Sequence, residues 1–363
     1  MASPRVLGVF AHPDDEVFCV GGTMAALADQ GAETMLLSLT RGEAGTIRDA
    51  SLATPRTLGE VRAGELERAA AALGVSQVRC YDLGDGTLAS LDGGAVDAAI
   101  RETISFFRPE IVVTFDEDGA YGHTDHIEVS NRTTELCASL GDDGPDVVLH
   151  ASFPRNDRLL LDLLSEWLVS LDQRFRGSDD FVQAMRLFAD GSSMLGYAAD
   201  CLQTEWFPAG SYVIEQDAEA DCLHLVLSGD VDVVREHDDG TVARIGHAGP
   251  GEFIGELGVA TGARRSAHCI AASSTTCMVL SPRDARESPL PEPAGVQSVD
   301  IRPWLGAKVD ALCEHRTQYR LTPGLFPTAM LEELLGTEHF VVAWSRSDAP
   351  GPVKSLLFGE PSS

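Results

Sequence analysis

Basic residues are scarce in this 363-residue chain. Lys and Arg together number 27, against 56 Asp and Glu, giving a net charge of −29. Such a chain is repelled by phosphate backbones, which argues against a DNA or RNA partner. Paired cysteines are missing too. The eight cysteines, at 19, 80, 137, 201, 222, 269, 277 and 313, form no CxxC. This argues against a Cys-type zinc site and a disulfide framework, and leaves reduced thiols packed as small hydrophobes in a cytoplasmic protein. No run of about 18 apolar residues occurs, so no membrane partner is expected. The start, MASPRVLGVFAHPDDE, lacks the apolar stretch of a signal peptide. The chain has no internal repeat. Its 44% hydrophobic and 23% charged content is that of a globular protein, and its length suits two domains.

The first 155 residues alternate apolar runs with helical stretches. RVLGVFA (5–11), TMLLSLT (34–40), VRCYDL (78–83), EIVVTF (110–115) and VVLHASF (147–153) read as strands. GGTMAALADQG (21–31), LGEVRAGELERAAAAL (58–73) and AVDAAIRETISFFR (95–108) read as helices. That order implies βαβ units and a Rossmann-like, mostly parallel sheet flanked by helices, an α/β fold. Ligands of such sheets bind beyond the carboxyl ends of the strands. His12, Arg41, Asp85 and the segment from Asp116 all follow strands, so they should converge on one rim.

A helical stretch (159–199) follows, with breaks near Gly177 and Gly191. Residues 206–281 then read as short strands at 8–12-residue spacing with Gly and Asp punctuation, the pattern of an antiparallel barrel or β jelly roll. SPRDARESPLPEPAG (281–295) reads as a linker. A helix (about 303–318) and a strand (339–345) complete the chain.

Two segments carry metal chemistry. His12-Pro13-Asp14-Asp15-Glu16 is one, and Tyr121-Gly122-His123-Thr124-Asp125-His126 lies about 110 residues on. Two imidazoles and a carboxylate are a common catalytic zinc set, with the fourth position left to water. A strand-end loop can aim His12 and Asp15 at one point and leave Asp14 to take a proton.

AHPDDE with the later GHTDH resembles the LmbE/PIG-L deacetylases, which remove acetyl from N-acetylglucosamine-type substrates. Further matches are TRGEAG (40–45), Arg62 and Glu65, DLGDG (82–86), RPEIVVTF (108–115) and KVDALCEHRTQ (308–318). The resemblance implies His12, Asp15 and His126 as Zn2+ ligands and Asp14 as general base. It implies oxyanion stabilisation by protonated His123 and by Tyr121, and substrate contacts from Arg41 and Asp85. Thr124 stands where that family usually has Pro.

FPAGSYVIEQDAEADCLHLVLSGDVDVV (207–234) and GPGEFIGELGVATGARRSAHCIA (249–271) resemble a cyclic-nucleotide-binding domain. The resemblance implies a phosphate-binding cassette of Gly255, Glu256, Leu257, Arg265 and Ser266. Arg265 would pair with phosphate and Glu256 would accept from a ribose hydroxyl. It favours cAMP over cGMP as a regulatory ligand. Such domains usually end in a helix that lids the nucleotide; here the Pro-rich segment follows, so the lid is absent or comes from the hydrolase body or a neighbouring subunit. The domains are then 1–157 with 296–363 (deacetylase), 158–200 (helical connector), 201–285 (cyclic nucleotide) and 286–295 (linker). The expected function is zinc-dependent N-deacetylation controlled by cyclic nucleotide. The alternative is a nucleotide sensor on a non-catalytic hydrolase scaffold. The small-molecule partners are an N-acetyl sugar and a cyclic nucleotide, and a homo-oligomer is left open.

Overall fold

The computed structural model describes residues 4–91, 93–153, 159–171, 173–190, 202–281 and 294–359. It divides into two compact units, residues 1–154 with 291–363 and residues 155–290.

The first unit opens with β1 (Val6–Phe10), α1 (Asp15–Asp29), β2 (Thr34–Ser38), α2 (Leu58–Ala72) and β3 (Gln77–Cys80). It continues through α3 (Gly93–Phe107), β4 (Ile111–Phe115), α4 (Gly119–Gly122), α5 (Thr124–Ser139) and β5 (Val147–Ser152). β1, β2, β4 and β5 are buried along their whole length, which is why they read as unbroken apolar runs rather than alternating ones.

The second unit holds α6 (Leu159–Ser170) and α7 (Asp179–Asp190). These are followed by β6 (Leu202–Phe207), β7 (Tyr212–Ile214), β8 (Leu223–Ser228), β9 (Val231–Glu236) and β10 (Val242–Ala248). β11 (Phe253–Ile254), α8 (Glu256–Thr261), β12 (His268–Ala271) and β13 (Thr275–Leu280) complete it. The chain then returns to the first unit as β14 (Gln297–Asp300), α9 (Leu305–Glu314), α10 (Thr328–Leu335), β15 (Thr337–Ser345) and α11 (Val353–Phe358).

The first unit is a seven-stranded sheet in the order β14-β15-β5-β4-β1-β2-β3. β3 to β5 run parallel, and β15 and β14 add antiparallel at one edge. The chain winds from β1 outward to β3, then jumps back to place β4 beside β1. The loops leaving β1 and β4 therefore diverge, and a crevice opens beyond their carboxyl ends. One carries His12 and the other leads to His123 and His126.

The second unit is a pair of four-stranded antiparallel sheets, β10-β9-β12-β7 and β11-β8-β13-β6, a jelly roll. Its core is Ile214, Val226, Val231, Ala248, Ile254, Cys269, Cys277 and Val279.

Some boundaries differ from the sequence reading. α1 begins at Asp15, six residues ahead of the expected Gly21, because the HPDDE segment winds directly into helix. Two amides inside that helix, Gly22 N and Thr23 N, donate to the Glu338 carboxylate of β15 at 2.8 Å each. Lys308 of α9 closes the group at 2.7 Å from Glu338. A buried ion pair thus ties α1, α9 and β15 together. β6 lies ahead of the first strand read from sequence. Residues 282–293, most of the Pro-rich stretch, lie outside the described residues, as does the break at Gly191.

Candidate metal centre and nucleotide cavity

β1 delivers His12 and Asp15 to the crevice, and the turn between them is strained. Asp14 has φ 120°, a left-handed backbone that costs a non-glycine residue of order 1–3 kcal/mol. The neighbourhood over-determines it. Asp14 N donates to Glu16 Oε2 at 2.9 Å, His12 N to Asp15 Oδ2 at 2.8 Å, and Arg62 Nη2 to the Pro13 carbonyl at 2.5 Å. Arg62 reaches there because Gly42, at φ +63°, has no side chain. A Cβ at that position would stand 2.1 Å from Arg62 Nη1.

The donor atoms of His12, Asp15 and His126, the set the resemblance implies, come together. His12 Nδ1 lies 3.2 Å from His126 Nε2 and 3.3 Å from Asp15 Oδ2, and His126 Nε2 lies 3.3 Å from Asp15 Oδ1. Zinc ligands at about 2.0–2.1 Å stand about 3.3 Å apart along each tetrahedron edge, so the separations fit that ion. The tautomer fits as well. His126 Nδ1 lies 3.2 Å from the Gly119 carbonyl, which can only accept, so the lone pair belongs to Nε2 and points into the cluster. Burial pulls His126 down to about 4, keeping it neutral.

Three carboxylates, Asp15, Asp85 and Asp125, crowd the His12 ring. Burial pulls His12 down, but the close carboxylates of Asp125, Asp15 and Asp85 outweigh it and hold its pKa well above the ordinary value. His123 joins the same group: ring nitrogens of His12, His123 and His126 lie within 4.8 Å of one another. His12 forms a second such group with Asp85 and Asp125.

Both oxygens of Asp14 are held. Arg62 Nη2 is 3.1 Å from Oδ1, and the Tyr319 hydroxyl donates to Oδ2 at 3.0 Å. Burial raises Asp14 to about 6 against the pull of Arg62. His123 caps α5, its Nδ1 accepting the Asp125 amide at 3.2 Å. With Nδ1 accepting that amide, Nε2 is the ring atom left to face the cluster. The side chain of Tyr121 lies outside those described.

Asp85 and Arg41 stand in the loops that follow β3 and β2. Asp85 Oδ1 lies 2.9 Å from His12 Nε2, while its Oδ2 accepts the Ala44 amide at 2.9 Å. Both oxygens are therefore engaged within the protein. Arg41 pairs with Asp82 at 3.6 Å and is partly exposed at the rim.

The reading from sequence missed Asp125, Glu16, His315 and Tyr319. Asp125 accepts the Gly86 and Leu88 amides at 2.8 and 3.1 Å and faces His12 Nε2 at 3.4 Å. His315 lies 2.8 Å from Glu16, and Thr317 donates twice to Glu65. The signal for the last group was present: KVDALCEHRTQ, Arg62 and Glu65 stood out as matches without a role.

In the second unit, Arg265 is buried and donates to the Gly255 and Cys222 carbonyls at 2.7 Å each. Gly255 has φ +92°, and a Cβ there would lie 2.6 Å from Arg265 Nη1, so glycine is required. A cavity of about 460 Å³ opens over this loop. Its lining includes Gly255, Glu256, Leu257, Arg265 and Ser266, all five of the expected cassette residues.

Residues 7–137 match the family described as GlcNAc-PI de-N-acetylase (PIG-L), and residues 204–287 match the cyclic nucleotide-binding domain. The chain carries a PIG-L deacetylase-family domain and a cyclic nucleotide-binding domain. The PIG-L-type domain is similar to the 1D-myo-inositol 2-acetamido-2-deoxy-alpha-D-glucopyranoside deacetylase of Kineococcus radiotolerans. The two are 38% identical over 167 residues, 39% of this chain and 46% of that protein. It is similar also to deacetylase 1 of that name from Catenulispora acidiphila, 42% identical over 163 residues, 38% of this chain and 50% of that protein. The chain spans about half the length of the curated relatives it matches. Among solved structures, N,N'-diacetylchitobiose deacetylase from Pyrococcus horikoshii, complexed with its inhibitor MPG, shares 25% identity. That likeness covers 41% of this chain and 60% of that one, with a TM-score of 0.36. No described helix is long and apolar enough to cross a membrane.

Proposed function

We propose that the chain hydrolyses the N-acetyl amide of an N-acetylglucosamine-type sugar, with inositol as aglycone, using one zinc ion, and that a cyclic nucleotide, cAMP in preference to cGMP, adjusts its rate. The observation that carries the reading is the 3.2–3.3 Å clustering of His12, Asp15 and His126 donor atoms. These three side chains would hold the ion. Zinc there would supply Lewis acidity, polarising the amide carbonyl and making a water more acidic.

The chain's own residues do the rest. Asp14 takes a proton from the attacking water as its oxygen bonds to the carbonyl carbon. Arg62 and Tyr319 hold that carboxylate in line. Nε2–H of His123 and the hydroxyl of Tyr121 donate to the oxyanion that develops. Asp14 then returns its proton to the sugar nitrogen as the C–N bond breaks, releasing acetate and the amine. The carboxylates of Asp85 and Asp125 fix the ring of His12 from the far side. Arg41 at the rim meets the sugar; Asp85 takes part in substrate binding through the loop it anchors.

The relatives' names support the substrate class, and the match over residues 204–287 supports the regulatory ligand. Acetate release is measured on a panel of N-acetylglucosaminyl compounds, with and without cAMP. Activity on the inositol conjugate, lost in Asp14→Ala, is expected. Full activity in Asp14→Ala sinks the assignment of the base. Identical kinetics with and without saturating cAMP sink the coupling.

A further inference from the structure

The cavity in the second unit has two chemically different walls. One is the cassette, with the buried guanidinium of Arg265, the Glu256 carboxylate and Ser266. The other is upstream of the barrel: Leu168 and Val169 of α6, with Leu171 just beyond it. Val169, Leu257 and Ile245 are 43%, 47% and 51% exposed, large apolar side chains left at the mouth of a cavity that holds an arginine. The lining residues all fall between 168 and 269, so nothing downstream of β13 contributes among the described residues.

α6 is fastened to this wall. Trp167 stacks edge-on against Phe175 at 4.7 Å, Phe175 meets Phe181 at 4.8 Å, and Phe181 meets Phe253 at 6.1 Å. Phe253 is two residues ahead of Gly255 in the cassette. Hydrogen bonds reinforce the aromatic cluster. Gly177 N donates to Gly251 O at 2.7 Å, Arg176 bridges Glu252, and Arg174 donates to the His247 carbonyl. The helix and the cassette are thus one packed body with the cavity between them.

We propose that α6 is the base-contacting wall of the cyclic-nucleotide site, with Leu168 and Val169 as its specificity-determining residues. This rests on the nucleotide-binding reading above. The cassette chemistry matches the cyclic phosphate and the ribose hydroxyl, and a flat heterocycle needs the apolar surface that α6 and Ile245 offer. Among the described residues, the place a downstream helix would take over the nucleotide is lined by a helix preceding the barrel. α6 begins at Leu159, seven residues after β5 ends at Ser152, and is the next element after β5 among the described residues.

The test measures affinities of the full chain for cAMP and cGMP. Val169 is exposed enough that Val169→Ser and Val169→Asp should fold with an unchanged thermal midpoint. Each is expected to weaken cAMP binding roughly tenfold and to change the cAMP-to-cGMP ratio. Arg265→Ala is expected to weaken both nucleotides alike. Wild-type affinities and ratio in both Val169 variants, with binding lost in Arg265→Ala, overturn the α6 wall and leave the cassette standing. A wild-type chain that binds neither nucleotide overturns the sensor reading and this wall with it.

Discussion

Replacing Tyr319 by Phe removes a single hydroxyl, the one that donates to Asp14 Oδ2 at 3.0 Å. The ring itself stays packed, since it meets Phe18 edge-on at 5.7 Å. A hydrogen bond to a charged acceptor contributes about 1.5–3 kcal/mol. Part of that returns, because Arg62 still grips Oδ1 and a carboxylate with one donor fewer is a better base. The smaller figure is therefore the relevant one, and it corresponds to about tenfold in rate. The assay is steady-state acetate release from an N-acetylglucosaminyl-inositol. The expectation is kcat down about tenfold and KM within about twofold, with bound zinc unchanged. An unaltered kcat would refute the idea that Tyr319 positions the base. Loss of zinc together with activity would show that it serves the architecture instead.

Three further outcomes follow from the packing. Burial holds His150 in the first unit and His224 in the second near 4, so both are neutral when folded and take up protons on unfolding below 6.5. The unfolded chain binds more protons there, so stability falls from pH 6.5 toward pH 4, by up to about 3 kcal/mol for each histidine. Urea unfolding across that range checks it, and a flat profile contradicts it. Lys308→Met leaves Glu338 buried with its charge uncompensated, and should cost the first unit about 3–5 kcal/mol. If the two units melt separately, only the first transition should move. Burial pushes the thiols of Cys137, Cys269 and Cys277 up to about 12, so they should react slowly with a thiol reagent at neutral pH until the chain unfolds. Rapid native-state labelling of these three sites would count against the packing.

The convergence of His12, Asp15 and His126 was legible because they lie in two short segments at the ends of neighbouring strands, and the alternation of strands and helices fixes which ends those are. Asp14 was legible by its place in HPDDE. Its support was not: His315 and Tyr319 lie about 300 residues away, and no local periodicity says that they return to β1. The engagement of Asp85 with His12 was hidden for the same reason, since a residue before a glycine reads as a turn until the opposite loop is in place. The association of α6 with the barrel depends on Trp167, Phe175, Phe181 and Phe253 finding one another, a tertiary event that a helical pattern cannot announce. The early start of α1 escaped notice because a strained Asp14 and a carboxylate from β15 make helix possible where propensity would not.

Metal content of the purified full chain, read beside that of His126→Ala, bears most directly on all of this. One zinc per wild-type chain is expected, retained in Asp14→Ala and lost in His126→Ala. Equal zinc in wild type and His126→Ala would contradict it, as would full amidase activity in a chain stripped of metal.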